Sequence, residues 1–273
     1  MPELPEVETV RQTLIPLVVG KTIEDVSVFW PNIVKRPDVP SFIQQLKGQT
    51  IREIGRKGKF LKFIFDDVVL VSHLRMEGRY LHEQKGALRD VHTHIIFSFT
   101  DETELRYRDV RKFGTMHLFK KGEEDDQLPL SQLGPEPFSH TFTIEQFKQC
   151  LQKTNRKMKV VLLDQTVIAG LGNIYVDEVL FRSGIHPERR AHQLTDEEIA
   201  KLHAEIISTL QEAIEKGGST IRTYVNTQGE KGTFQTELYV YGRKNEPCKR
   251  CGELIEKIIV AGRGTHYCKK CQS

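Results

Sequence analysis

The chain has 273 residues, of which 38% are hydrophobic and 28% are charged, and its formal net charge is +3. This composition is ordinary for a globular protein with one or two domains. No run of about 18 apolar residues occurs, which excludes a membrane span. The first residues carry acids where a secretion signal carries bases, so we expect a cytoplasmic protein.

A helix followed by strands is predicted for the first part of the chain. Residues 3–19 place leucine and valine on one helical stripe, and Gly20 follows that stripe. Residues 22–119 have mostly the pattern of strands, with a hairpin turn at 101–102. The clearest predicted strands are 59–65, 68–73, 94–100, 104–109 and 115–119.

The middle of the chain changes in composition and then becomes helical. An acidic run at 123–126, which we expect to be exposed, leads into Gly-Pro-Glu-Pro at 134–137. Residues 217–236 are rich in Gly, Ser, Thr and Asn and lack periodicity, which is typical of a functional or mobile loop. The predicted helices are 144–153, 157–165, 175–183 and 196–217.

These changes predict a multidomain α+β protein. Residues 1–122 form a β-rich domain and residues 123–137 a stiff linker. Residues 138–235 form a helical domain that contains the long loop 217–235. Residues 236–273 form a separate cysteine-containing module.

Four cysteines at the end of the chain predict a metal site. They form two C-x2-C pairs with sixteen residues between the pairs, namely Cys248, Cys251, Cys268 and Cys271. This spacing is typical of a zinc ribbon, in which four thiolates hold one Zn²⁺ tetrahedrally and leave no position for water. We expect a structural zinc rather than a catalytic one, on a hairpin over 253–266 that turns at 261–264. The alternative is disulfides or free thiols, and a cytoplasmic location disfavours disulfides.

Basic residues cluster in two places, and the fifth cysteine lies near one of them. Residues 236–273 carry eight Lys or Arg against four Glu, and residues 151–163 carry four bases and no acid. Each cluster is either a solvated face or a contact for nucleic acid. Cys150 lies in a predicted amphipathic helix, where we expect it to be a small buried hydrophobic residue.

The chain begins with Met-Pro-Glu-Leu-Pro-Glu-Val-Glu-Thr. Proline is a good first helical residue, and Glu3 and Glu6 suit the positive end of a helix, so the stretch has a purely structural interpretation. Removal of Met1 would also expose the secondary amine of Pro2. A neutral amine can attack a masked aldehyde and form a Schiff base, and the nearby glutamates can move protons.

Three motifs together resemble one family over the full chain. They are PELPEVET at 2–9, GNIY at 172–175, and the cysteine pairs with GRGTHYC at 262–268. The chain thus resembles the bacterial formamidopyrimidine-DNA glycosylases. The endonuclease VIII branch has glycine where this chain has Leu4, which favours the branch that acts on oxidised purines.

The resemblance implies a fold and an activity. The fold is an N-terminal helix with a β-sandwich, then a helix-two-turn-helix domain with a four-cysteine zinc ribbon hairpin. The activity is excision of oxidised purines, 8-oxoguanine and formamidopyrimidines, from duplex DNA. The abasic strand is then cut by β- and δ-elimination.

The resemblance also implies the roles of five residues. Pro2 is the nucleophile at C1′, Glu3 is the general acid and base, and Glu6 supports them. Lys59 donates a proton in β-elimination, although its pattern alone also fits a lysine that neutralises phosphate. Arg263 acts in δ-elimination, where a guanidinium is better suited to stabilise the departing phosphate than to donate a proton.

Other residues are implied to contact DNA around an extruded base. Met76 and Phe113 would fill the space in the base stack, although their pattern alone also fits core positions. Arg111 would bind the orphaned cytosine, and His92 would contact DNA. The H-x-H pattern at 92–94 is only weak evidence for a metal.

The last set of implied contacts lies in the second half of the chain. Asn173 at a helix start and Lys257 in the ribbon would bind phosphates. The loop 217–235 would cover the extruded base, with Ser219 and Thr223 among the residues that recognise it. Asn155 occupies a position where the family commonly has lysine, so that phosphate contact is left open.

We therefore expect a monomeric, bifunctional glycosylase and lyase with one structural Zn²⁺ and no organic cofactor. Its partner is double-stranded DNA with oxidised purines or abasic sites, and it binds no membrane. The alternatives are an endonuclease VIII-like enzyme for oxidised pyrimidines and a zinc-ribbon DNA-binding protein without catalysis.

Overall fold

The computed structural model describes residues 1–219 and 232–273. They form two compact units: Met1–Ser131 with the described part of Gly217–Gly232, and Gln132–Lys216 with Thr233–Ser273. The domain limits expected from the sequence stay a prediction. None of the helices in the described residues has the length and hydropathy that a membrane crossing requires.

The first unit begins with a helix and continues mainly as strands. Its helices are α1 (Leu4–Val18) and α2 (Val39–Leu46). Its strands are β1 (Ile23–Val28), β2 (Val34–Arg36), β3 (Glu53–Lys57), β4 (Phe60–Ile64), β5 (Val68–His73), β6 (Arg79–Gln84), β7 (Thr93–Phe99), β8 (Thr103–Arg108) and β9 (Thr115–Lys120). The first helix and the five predicted strands are confirmed, each within one residue at either end.

Helix α2 was not predicted by the strand pattern of 22–119. Asp38 starts it, because the carboxylate of Asp38 accepts a hydrogen bond from the backbone amide of Ser41 at 3.0 Å. Phe42 and Leu46, four residues apart on the same face, are fully buried. One turn of capping and two apolar residues are too short a signal to stand out in the sequence.

The strands form two sheets that enclose one core. The four-stranded sheet has the order β1-β7-β8-β6, and the five-stranded sheet has the order β2-β9-β5-β4-β3. All neighbouring strands are antiparallel except β2 and β9, which are parallel. Buried side chains of both sheets and of α1 belong to the same hydrophobic cluster, as in a β-sandwich.

The acidic run at 123–126 is only partly exposed, which corrects the expectation from its composition. Glu124 is buried and lies 2.8 Å from the ammonium group of Lys62, and Asp125 pairs with both Lys62 and Lys57. Burial opposes the charge on Lys62, but its hydrogen bonds to both acids outweigh burial and raise its pKa. The run therefore anchors the end of this unit on β3 and β4.

The second unit is helical and ends in a hairpin. Its elements are α3 (Ile144–Gln152), α4 (Met158–Leu163), α5 (Asn173–Ser183), α6 (Asp196–Glu215), β10 (Glu256–Val260) and β11 (Arg263–Tyr267). The four predicted helices and the hairpin are confirmed. Threonine caps begin α3 and α6, through Thr143 and Thr195.

Cys150 is exposed on α3, so the prediction that it is buried was wrong. The buried side chains of α3 are Phe147 and Leu151, four residues apart. Cys150 lies three residues after Phe147, at the edge of this face, and its side chain remains exposed.

His73, the last residue of β5, is a buried neutral base. Its ring packs edge-on against Phe60 at 4.5 Å, and its Nδ1 atom accepts a hydrogen bond from the backbone amide of Arg75 at 2.9 Å. Burial lowers the pKa of His73 to about 3, and the positive charges of Arg75 and Lys59 add to this effect. The folded state therefore binds a proton at His73 far less readily than the unfolded chain does.

We predict that His73 weakens the protein in acid. The pKa of His73 in the folded state lies below the unfolded value of about 6.5. Above that pH the imidazole is neutral in both states, so His73 causes no loss of stability there. The free energy of unfolding then falls by about 1.4 kcal/mol per pH unit between about 6.5 and 3. His73→Asn keeps an acceptor near Nδ1 and cannot be protonated. Chemical denaturation at two pH values in this range should show a steeper loss in the unchanged protein, and equal slopes would contradict the prediction.

Candidate active site and nucleic-acid interface

Pro2, Glu3 and Glu6, which we expect to act together, lie at the start of α1 or just before it. Pro2 is buried, and Glu3 and Glu6 are each only 2% exposed. Glu3 is the N-cap residue, and its backbone amide donates to Oε2 of Glu6 at 2.8 Å. Helix formation from Leu4 onward therefore fixes Glu6 against the backbone of Glu3, the residue that follows Pro2.

The second oxygen of Glu6 binds the base of the 217–235 loop. Oε1 of Glu6 accepts the backbone amide of Ser219 at 2.7 Å. Gly218 has a φ of 77°, and a Cβ there would lie 2.8 Å from Oε1, so glycine is needed for this approach. Thr223, which we expected to contact the base, lies outside the described residues.

Lys59 lies in the turn between β3 and β4 and is 6% exposed. Arg56 connects this turn to α1, because its guanidinium donates to Glu8 at 3.0 Å and to the carbonyl of Gly58 at 2.9 Å. Burial alone would raise the pKa of Glu8, but hydrogen bonds from Arg11 and Arg56 outweigh burial and lower it. An ionised Glu8 thus holds the turn that contains Lys59 against α1, the helix that begins just after Pro2 and Glu3.

Met76 and Phe113 are exposed, which is the position expected of wedges and not of core residues. Their side chains are 41% and 51% exposed, and Arg111 beside Phe113 is exposed as well. The guanidinium of Arg111 lies 4.7 Å from the centre of the Phe113 ring. Two apolar side chains at the tips of loops are available to insert between bases.

Asp109 fixes the loop that carries Arg111 and Phe113. It is fully buried, and its carboxylate accepts the backbone amides of Arg111, Phe113 and Gly114 at 2.8–3.0 Å. Its carbonyl accepts a hydrogen bond from Nε2 of His94 at 2.9 Å. His94 therefore supports this loop, while His92 is partly exposed at its edge.

Tyr107 lies beneath the loop that carries Met76 and the loop that carries Phe113, which we call the wedge loops. A Cβ at Gly78, which closes the Met76 loop, would lie 2.2 Å from the hydroxyl of Tyr107, and one at Gly114 would lie 1.6 Å from it. Both loops must therefore end in glycine to pack on this ring. Tyr107 in turn packs edge-on against Tyr80 at 5.3 Å, so the loops rest on the sandwich core.

In the second unit, the four cysteine sulfurs converge on one point. They all lie within 4.8 Å of one another, and among the described residues no other group of His, Cys, Asp and Glu could hold a metal ion in this way. The sulfurs of Cys251 and Cys268 lie 3.5 Å apart and those of Cys248 and Cys271 lie 3.9 Å apart, far longer than a disulfide bond of about 2.05 Å. Four thiolates in this arrangement fit Zn²⁺ with no open position.

The hairpin of β10 and β11 brings three predicted DNA contacts close together. Arg263 is exposed at the start of β11, after Gly262 with a φ of 74°. A Cβ at the next residue, Gly264, would lie 3.0 Å from Cε of Lys257. The side-chain amide of Asn173, at the start of α5, donates to the carbonyl of Gly264 at 2.9 Å. A helix start and two cations thus lie on one small surface that suits phosphate.

A buried ion pair supports this surface and corrects the interpretation of the 151–163 cluster. Lys159 is fully buried and pairs with Asp177, so it belongs to neither a solvated face nor an exposed contact. Asp177 also accepts the backbone amide of His266 at 2.9 Å, which connects α4 and α5 to β11. Arg156 and Lys157 pair with Asp164 and Glu188.

Sequence reasoning missed several buried acids that hold the site residues. These are Glu8, Asp109, Asp177 and Glu178. Glu178 accepts the backbone amides of residues 239, 240 and 241 at 2.8–2.9 Å, and burial raises its pKa. The one available signal was Asp-Glu at 177–178 within an otherwise apolar helix, where acids need buried partners.

Comparison with known families gives the class of protein. The formamidopyrimidine-DNA glycosylase N-terminal domain matches residues 1–116, and the formamidopyrimidine-DNA glycosylase H2TH domain matches residues 133–225. The zinc finger found in FPG and IleRS matches residues 245–273. A β-sandwich, a helix-two-turn-helix domain and a zinc finger in this order define a DNA glycosylase of DNA repair.

Individual relatives agree over the whole chain. The formamidopyrimidine-DNA glycosylases of Bacillus licheniformis and Bacillus subtilis are 63% and 62% identical to it, covering 100% of this chain and 99% of theirs. Crystal structures of Lactococcus lactis Fpg with abasic-site DNA and with N7-benzyl-Fapy-dG DNA superpose with TM-scores of 0.94 at 46% and 45% identity, covering 99% and 100% of both chains. The chain belongs to the formamidopyrimidine-DNA glycosylase family.

We predict that Arg56→Gln slows strand cleavage at a preformed abasic site. Without the guanidinium, the Lys59 turn loses its connection to Glu8, and a displacement of about 1 Å can cost about 100-fold in rate. Affinity for the same DNA should change much less. Single-turnover cleavage and DNA binding measure the two effects separately.

Arg52→Gln is the matched control, since Arg52 is an exposed arginine before β3 that pairs with Asp66. It should cleave like the unchanged protein. Equal rates for Arg56→Gln and Arg52→Gln would show that the Arg56 bridge does not position Lys59.

We also predict that Cys268→Ser abolishes zinc binding. Removal of one of four thiolates leaves the site incomplete, and a structural zinc site contributes folding energy directly. Metal analysis after dialysis should give one zinc per chain in the unchanged protein and in Cys150→Ser, and none in Cys268→Ser. Zinc retained in Cys268→Ser would contradict a four-cysteine site.

Proposed function

We propose that the chain excises oxidised purines, 8-oxoguanine and formamidopyrimidines, from duplex DNA through a Schiff base at Pro2. The abasic strand is then cleaved by β,δ-elimination. The observation that carries this proposal is the burial of Pro2 and Glu3 at the start of α1, with Glu6 fixed by two backbone amides. Met1 is 46% exposed, which leaves it accessible to removal.

The first bond change takes place at C1′ of the damaged nucleotide. The lone pair of the Pro2 nitrogen forms a bond to C1′, and the bond from C1′ to the base breaks, so that the base leaves with the bonding pair and is neutralised by the proton that the Pro2 nitrogen loses. Glu3 supplies the proton that opens the sugar ring, so that an iminium remains on Pro2. Glu6 holds Glu3 through the hydrogen bond at the helix start.

Strand cleavage uses the same iminium. Loss of a proton from C2′ releases the 3′ phosphate, with Lys59 as proton donor in this β-elimination. Loss of the 5′ phosphate follows as δ-elimination. Arg263 stabilises the charge of the phosphate that leaves, since a guanidinium remains protonated throughout.

DNA is bound in a distorted form. Met76 and Phe113 fill the place of the extruded base, Arg111 contacts the orphaned cytosine, and His92 contacts the backbone; their exposure supports these roles. Lactococcus lactis Fpg has been crystallised with abasic-site and Fapy-dG DNA, which supports the same substrates here.

The second unit contributes phosphate contacts. Asn173, Lys257 and Arg263 form a surface that positions the protein on DNA without reading its sequence. The loop 217–235 covers the extruded base, with Ser219 among the residues that recognise it. We infer a monomer in the bacterial cytoplasm, with residues 123–137 as the linker between two DNA-binding parts.

We predict that borohydride traps the protein on DNA through Pro2. A duplex with 8-oxoguanine opposite cytosine is mixed with the mature protein and reductant, and the covalent adduct is measured by gel and mass spectrometry. Pro2→Gly loses the secondary amine, and a form that retains Met1 has it blocked, so both should trap far less. Equal trapping by all three proteins would overturn the proline mechanism.

A further inference from the structure

Beside the wedge loop lies a surface where cations are stacked on aromatic rings. The guanidinium of Arg89 lies 4.1 Å from the centre of the Phe29 ring, and the ammonium of Lys112 lies 4.0 Å from the Trp30 ring. Phe29 is 46% exposed, and both cations are exposed. We call Phe29, Trp30, Arg89 and Lys112 the aromatic–basic patch.

The aromatic–basic patch is continuous with the residues proposed to contact DNA. The backbone amide of Phe29 donates to the carbonyl of His94 at 2.8 Å, and that of Asp109 donates to the carbonyl of His92 at 3.0 Å. Lys112 itself lies between Arg111 and Phe113 in the chain. Lys112 is therefore adjacent in the chain to both residues that we propose to enter or contact the base stack.

The patch is held in place from below. Arg106 is 4% exposed, and its guanidinium donates to the carbonyls of Ala87 and Leu88 at 2.7 Å and 3.0 Å. The guanidinium of Arg89 donates to the carbonyl of Thr93 at 3.1 Å. Asp90, the acid beside Arg89, is paired with Arg108, so its charge is compensated.

Lys112 occupies a backbone position that favours glycine. Its φ is 58°, in the left-handed region, because Asp109 binds the amides on both sides of it. A lysine in this conformation is strained relative to glycine. A strained, exposed cation over a tryptophan ring indicates that the side chain is used.

We propose that the aromatic–basic patch binds phosphates of the duplex that flanks the lesion, and so extends the DNA interface beyond the wedge residues. This inference rests on the proposed function. A cation stacked on a ring keeps its remaining N–H groups free to face a phosphate, and the rings reduce the freedom of Lys112 and Arg89. Positive charge next to DNA-contacting residues favours nucleic acid over an acidic protein.

The test measures DNA affinity as a function of salt. Lys112→Gly removes the cation and relieves the strained backbone, so its unfolding midpoint should equal or exceed that of the unchanged protein. Its affinity for a duplex with a stable abasic-site analogue should fall by about fivefold near physiological salt, and the salt slope should decrease by about 0.9. Arg89→Gln added to it should remove a similar amount again.

Two further variants act as controls. Lys112→Arg keeps a cation that stacks on Trp30 and should restore the affinity and the salt slope. Lys120→Gln removes an exposed lysine at the opposite end of β9 and should change neither. Binding is measured by anisotropy between about 50 mM and 200 mM salt, where phosphate contacts dominate the change.

The outcomes separate this inference from the proposed function. An unchanged salt slope in Lys112→Gly and in the double variant would overturn the inference, and the patch would then serve a partner other than DNA. Failure of the unchanged protein to be trapped through Pro2 would overturn the proposed function instead. The binding measurement needs no chemistry, so either can fail alone.

Discussion

The N-terminal site depends on the two hydrogen bonds that the buried carboxylate of Glu6 accepts. One oxygen accepts the amide of Glu3 and the other accepts the amide of Ser219, so a single buried group connects the start of α1 to the residues that begin the 217–235 loop. A buried backbone amide without a hydrogen-bond partner costs about 1–3 kcal/mol of stability, and loss of the Glu6 side chain would remove the acceptor from two such amides at once.

The same arrangement recurs in two other irregular segments. Asp109 binds three amides of the wedge loop, and Glu178 binds three amides of 239–241 beside the zinc module. Buried backbone amides outside helices and sheets need an acceptor, and here a buried acid supplies it. The exposed side chain of Phe113 therefore lies on a loop whose backbone Asp109 holds in place.

The sequence predicted the parts of the structure that depend on local pattern. The first helix, five strands and the cysteine pairs follow from apolar periodicity and ligand spacing, while the roles of Pro2, Glu3 and Lys59 stay predictions from the resemblance. The missing parts depend on contacts between distant residues. Nothing local to Glu124 shows that Lys62 neutralises it, and nothing in the basic cluster shows that Lys159 pairs with Asp177. Tyr107 under Gly78 and Gly114 is a further case, since the reason for both glycines lies in a third segment.

The buried pair of Lys159 and Asp177 is better explained by the backbone that it holds in place than by a gain in the free energy of unfolding. Removing two charges from water costs several kcal/mol for each ion, and well-packed apolar residues in their place are often as stable. Apolar residues could not, however, accept the amide of His266, which Asp177 does while it pairs with Lys159. That hydrogen bond holds β11 against α5. It thereby places Gly264, with its neighbour Arg263, beside Asn173. The pair therefore holds together a helix start and a hairpin tip, the two segments that carry the residues we propose to bind phosphate.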